Sequence, residues 1–178
     1  MNRIAALMLV LSLAVVASGC RAEVNPKEVT AANDIEELGG KVVVDEKSPD
    51  KAVIGVDLHG TKVTDYVLEH LHWLPQLQSL DLSRTDITDA GLKHLERLPK
   101  LQSLDLKDTG ITDAGMEHLY WLPQLQSLNL VGTEVTDVGL EHLKGLNKLQ
   151  TLGLAETKVT DAGVKKLQQA LPKCKIER

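Results

Sequence analysis

Four histidines recur at one spacing, His70, His94, His118 and His142, and Lys166 takes the fifth place. Imidazoles at a fixed interval are what a metal ladder would need. Stacked helices lie ~10 Å apart, whereas zinc holds its nitrogens at ~2.1 Å. The row therefore reads as a consensus position beside a buried stripe, with no metal site and no cofactor. A second periodic row is acidic: Asp57, Asp81 and Asp105, followed by Asn129 and Gly153. Neighbouring strands are ~4.8 Å apart, so these carboxylates would stand side by side on a solvated face. Such a face suits a cationic partner, with Arg84 and Lys107 partly neutralising the acids. His59, His72 and Cys174 fall outside the period. A nucleophile and its base need unique residues in an asymmetric pocket, and nearly every His, Asp and Thr here is explained by its place in the repeat. The chain carries neither a glycine-rich phosphate loop nor a Cys-x-x-Cys pair, and reads as non-enzymatic.

The interval behind these rows is 24 residues. LQSLDLSRTDITDAGLKHLERLPK from Leu77 is followed by close copies from Leu101, Leu125 and Leu149, and preceded by a more divergent one from Val53. Each unit changes period halfway. Leu77, Leu80 and Leu82 lie on the inward side of a short strand, with Asp81 outward. Thr88 reads as a helix N-cap with Asp89 in the first turn. Leu92, Leu95 and Leu98 form one buried helical stripe, and Pro99 ends it. Gly91 and its copies Gly115, Gly139 and Gly163 cost ~1 kcal/mol each against alanine in a helix. Their regularity implies tight packing of helix on strand.

One strand and one helix per copy, returning to a parallel strand, make an α/β solenoid. The unit LxxLxLxxT resembles the leucine-rich repeat, with Thr61, Thr85, Thr109, Thr133 and Thr157 where many such repeats carry Asn. The TDAGLxxL segment resembles the convex side of the ribonuclease-inhibitor-like class. That resemblance implies parallel strands on a concave face, helices on the convex face, and a protein or peptide as partner.

Composition agrees with a repetitive aliphatic core. Of the 178 residues 43% are apolar, yet aromatics make up only 2% and Phe is absent. A net charge of −5 removes a general nucleic-acid binder, which would show a basic face. Trp73, Tyr120 and Trp121 fall near helix ends, where packing at the core edge is expected.

Residues 1–19 read as a secretory signal: Arg3, then an apolar run from Ile4 to about Ala17, then small residues. The run is shorter than the ~20 residues of a spanning helix. Ala17-Ser18-Gly19-Cys20 resembles a bacterial lipobox, which implies lipidation of Cys20. Arg21 after the cysteine then implies the outer membrane. The alternative is plain cleavage after Gly19, which leaves a secreted or periplasmic soluble protein. Residues 20–25 form a spacer and 26–50 a helix–strand cap, in which Val29, Ala32, Ile35 and Leu38 make the apolar face. Residues 51–170 hold five repeats, and 171–178 a closing strand with Cys174 buried.

Five strands give roughly 500 Å² of concave face, below the ~800 Å² per partner of a standard interface. The expectation is therefore a membrane-anchored, extracytoplasmic module that binds a peptide, a loop or a modest protein surface. The acidic row would serve it, together with the small residues Val131, Gly132, Gly153 and Ala155. The alternative is a structural envelope protein that self-associates through its repeats.

Overall fold

The computed structural model describes residues 25–178; the signal segment and Cys20 lie outside them. Helix α1, Pro26–Glu37, opens where the Asn25 side chain accepts the amide of Lys27 at 3.0 Å and Pro26 fixes the first φ. Ala31, Ala32 and Ile35 are its buried face. Leu38, expected on that face, is 46% exposed, because it is the C-cap and Gly39 turns the chain away at φ +86°. Glu28 accepts the amide of Val53 at 2.8 Å, which ties α1 to the first repeat, and desolvation there pushes its carboxyl pKa up.

The described residues hold seven strands, which form one sheet in chain order. They are β1 (Lys41–Val44), β2 (Val53–Asp57), β3 (Ser79–Asp81), β4 (Ser103–Asp105), β5 (Ser127–Asn129), β6 (Thr151–Gly153) and β7 (Lys175–Glu177). β1 runs antiparallel to β2, and every later pair is parallel. The register is constant, so Leu80, Leu104, Leu128, Leu152 and Ile176 stand in one inward row. The fold is an α/β leucine-rich repeat solenoid. Its leucines are dry: Leu77, Leu82, Leu92, Leu95, Leu101 and Leu106 are all 0% exposed.

The convex side departs from the uniform helix expected. Helices α2 (Asp65–His70), α3 (Asp89–Leu92) and α5 (Asp137–Leu140) each give way to a 3-10 segment: Leu71–Trp73, Lys93–Arg97 and Glu141–Gly145. Only α4 (Asp113–Leu119) and α6 (Asp161–Ala170) run on as α-helix. The leucine spacing suits a 3-10 turn without dictating it, since Met116, Leu119 and Leu122 keep the same spacing where α4 stays α-helical. Leu92, Leu95 and Leu98 recur every three residues, which matches three residues per turn and keeps all three on the core side.

The repeated glycines also have another role than expected. A Cβ on Gly91 would collide with Oδ1 of Asp65 in the preceding repeat, and Gly115, Gly139 and Gly163 face Asp89, Asp113 and Asp137 in the same way. The close approach is between successive helix N-termini, not between helix and strand. The aspartates are fixed by the next repeat: Asp65 Oδ1 accepts the amide of Thr88 at 2.8 Å, and Oδ2 its hydroxyl at 2.6 Å.

A left-handed turn follows each strand from β2 to β6. Gly60, Arg84, Asp108, Gly132 and Glu156 have φ of 65°, 55°, 54°, 72° and 58°. Gly60 has open space around its missing side chain, whereas a Cβ on Gly132 would strike Oδ1 of Asp108. Gly60→Ala is expected to lose about 1 kcal/mol from backbone conformation alone. Gly132→Ala is expected to lose clearly more, as read by urea unfolding; equal losses would show that the collision relaxes freely.

Candidate binding face

Strand alternation sets the concave surface. Leu80 and Leu104 point inward and are 1% exposed, so the residues on either side of them face out. One outward row is Gly55, Ser79, Ser103, Ser127, Thr151 and Lys175; the next is Asp57, Asp81, Asp105, Asn129, Gly153 and Glu177. The structure thus brings five of the candidate residues into one line.

Each acid in that line is partly occupied. Asp57 accepts the amide of His59 at 3.0 Å, Asp81 that of Ser83 at 2.9 Å, and Asp105 that of Lys107 at 2.9 Å. Asn129 does the same for Val131 at 3.2 Å, and its amide nitrogen donates to Asp105 at 3.0 Å. These are Asx turns that steer the chain out of each strand. The His59 amide, with Lys41 at 3.1 Å, holds the Asp57 carboxyl below its ordinary range.

Arg84 is not set over this line. It occupies the left-handed turn, and its Nε lies 3.2 Å from Asp108. The expected neutralisation of the concave acids by Arg84 therefore fails, since the turn carries its side chain toward the next repeat's turn.

His59, which the sequence places within reach of Asp57 or Asp81, joins Asp81 through Ser83 in a hydrogen-bonded chain. The His59 ring Nδ1 is 2.8 Å from Ser83 Oγ, which in turn donates to Asp81 at 2.5 Å. With the Ser83 hydroxyl donating to Asp81, its oxygen is left to accept from the His59 ring. That order is the reverse of a base activating a nucleophile, and Ser83 is 4% exposed.

Along the second half of the face the side chains shrink. A depression of about 360 Å³ lies there, lined by Asn129, Val131, Gly153, Ala155, Glu177 and Arg178 among others, with Ser127 and Thr151 at its side. Arg178 is held in place by Asp161 and by the Val159 carbonyl, the latter at 2.9 Å. Glu177 and Arg178 were missed in the sequence, although one more 24-residue step from Gly153 lands on Glu177.

The periodic histidines serve the convex side. His118 Nδ1 lies 2.7 Å from Glu96, and His70 Nδ1 lies 3.4 Å from Asp34. Burial pushes the His94 pKa down. Among the described residues no three His, Cys, Asp or Glu side chains converge as a metal site. Trp73 packs at the core edge with Lys27 Nζ 3.7 Å from its ring centre. Tyr120 and Trp121, expected at the core edge, are 59% and 58% exposed. They fall where α4 ends and the leucine stripe already fills the core.

Residues 75–135 and 99–159 match the family described as leucine rich repeat. Among solved structures, an internalin (inlF) from Listeria monocytogenes has 28% identity and a TM-score of 0.60, over 70% of this chain and 34% of that one. An LRR protein from Leptospira interrogans has 21% identity and a TM-score of 0.52, over 73% of this chain and 38% of that one. The LRR ectodomain of the receptor kinase SOBIR1 from Arabidopsis thaliana has 15% identity and a TM-score of 0.56, over 86% and 92%. The last two share the fold alone, and the chain spans little more than a third of the length of the first two. No curated protein shows significant similarity to the chain.

Proposed function

We propose that this leucine-rich repeat solenoid is a non-enzymatic binding module, held outside the cytoplasm by a lipid on Cys20, that takes a short segment of a protein partner on its concave sheet. Leucine-rich repeat proteins are in general protein-interaction modules. The observation that carries the reading here is the depression over β5–β7. In the line that carries Asp57, Asp81 and Asp105 earlier in the sheet, Gly153 stands here, and with Ala155 it lines this end. A volume of about 360 Å³ accommodates a few side chains, not a globular domain. The caps widen the sheet beyond the five repeat strands, to about 29 Å across seven strands.

Filling the depression tests the reading. Against an array of immobilised peptides, the full chain is expected to retain a defined subset, and Ala155→Trp to lose it at least tenfold with its melting temperature unchanged. Capture indifferent to Ala155→Trp would remove the site. Charge is tested separately by Asp81→Asn with Asp105→Asn, since Asn129 shows that an amide oxygen supports the same turn. Weaker capture of basic peptides is expected, and no change would limit recognition to the depression.

The anchor rests on the resemblance of Ala17-Ser18-Gly19-Cys20 to a lipobox. Among the described residues no helix is long and apolar enough to cross a membrane. Cys20→Ser is expected to move the protein from the membrane to the soluble fraction, together with loss of incorporated labelled fatty acid. Membrane retention without label would count against lipidation.

A further inference from the structure

The sheet has two ends, and they differ. At the C-terminal end, Lys175 and Glu177 of β7 already pair with each other at 2.6 Å, and Ile176 between them is half-buried against the core. At the N-terminal end, β1 pairs with β2 on one side and with no other described strand. Val43, which covers Gly55 on the concave side, remains 55% exposed. Lys41 shares that side, opposite Asp57, and its side chain is 80% exposed.

An exposed strand edge with an outward valine is a template for another strand. The segment Lys41-Val42-Val43-Val44-Asp45 reads as its own antiparallel complement. Turned over on a two-fold axis through Val43, it sets Lys41 against Asp45 of a second copy, Val42 against Val44, and Val43 against Val43. Two ion pairs then flank an apolar centre. Shifting the register by two residues in either direction breaks both pairs, and a shift of one puts the valines on mismatched faces. Lys41 also reaches Asp57 at 3.1 Å, and its three donors can serve both carboxylates.

We propose that β1 is the interface of a symmetric dimer, in which a second copy of this chain continues the sheet across the Val43 axis. The interface is closed, so it yields dimers and not filaments. It is also distinct from the concave depression, so its test does not depend on any ligand.

Sedimentation of the full chain from about 1 to about 500 µM covers the range a small interface requires. A monomer–dimer equilibrium is expected, and Lys41→Glu, which sets acid against acid twice, should raise its dissociation constant at least about tenfold. Cross-linking gives a second reading that does not depend on affinity. Directly opposed residues of a non-hydrogen-bonded pair have Cβ atoms ~4.5–5.5 Å apart, so Val43→Cys should form a disulfide-linked dimer under mild oxidation. Val138→Cys, at a site 63% exposed on α5, should not. Three results would overturn the proposal: a monomer throughout, a dimer indifferent to Lys41→Glu, or a thiol introduced by Val43→Cys that the chain's own N-terminal segment shields from reagents.

Discussion

Leu104→Ala is expected to lower the unfolding free energy by about 3–5 kcal/mol, the largest loss of any single truncation considered. Leu104 is 1% exposed and sits at the middle of the inward row, in register with Leu80 on one side and Leu128 on the other. Its removal leaves a cavity that two neighbouring repeats would have to close together. Their strands are fixed by main-chain bonds such as Leu82 to Asp105 and Leu106 to Asn129, both 2.9 Å, so collapse is limited. A solenoid is stabilised by contacts between neighbours, which makes the position in the array matter as much as the residue. Leu171→Ala, beyond the last repeat and 4% exposed, removes the same atoms but faces neighbours on one side only. Its cost should be clearly smaller, about 2–3 kcal/mol. Urea unfolding followed by far-ultraviolet dichroism measures both, and equal losses would mean that the middle of the array holds no privileged place.

The inward rows were legible because burial follows a period, and the period is written in the leucines. Leu77, Leu80 and Leu82 alternate as a strand requires, and the next copy repeats them without insertion. Interactions between copies were not legible. Asp89 looks like an acid placed in a helix's first turn, and its true partners are the amide and hydroxyl of Thr112, 2.8 and 2.6 Å away in the following repeat. Only the stacking brings them together. The glycines were misassigned for the same reason, since the object that excludes their side chains belongs to another repeat. The switch from α to 3-10 was not legible, for the same spacing of three goes with 3-10 turns at Leu92, Leu95 and Leu98 and with α-helix at Met116 and Leu119. For the candidate face, the row Asp57 to Gly153 followed from alternation and constant register. Arg84 did not, because its left-handed backbone is invisible in a residue that seldom adopts it.

Asp113→Ala is expected to lose about 2–4 kcal/mol, since the half-buried carboxylate receives three bonds from the next repeat, each contributing about 1 kcal/mol net. Oδ1 accepts the Thr136 amide at 2.8 Å and the Gly139 amide at 2.9 Å, while Oδ2 accepts the Thr136 hydroxyl at 2.6 Å. Alanine would leave both amides without this acceptor at a helix start. Asp113→Asn should lose only about 1 kcal/mol, because its oxygen can still take both amides and its nitrogen can donate to the threonine. The last rung tests the packing part of the same device. Around Gly163, the nearest atoms to an added Cβ all belong to Asp137. Gly163→Ala should therefore destabilise the native chain and become neutral or stabilising once Asp137 is alanine, a coupling that additive effects would contradict. Protonation probes the bonds themselves. The hydroxyl and amide of Thr160 hold the Asp137 carboxyl below its ordinary value of 3.8. Its contribution is therefore complete above that pH and is lost as pH falls through the lower folded value. Asp137→Asn should flatten the acid limb of the stability curve below about pH 4, where the unfolded carboxylate takes up its proton; an unchanged limb would mean that the Thr160 bonds do not distinguish the ionised form.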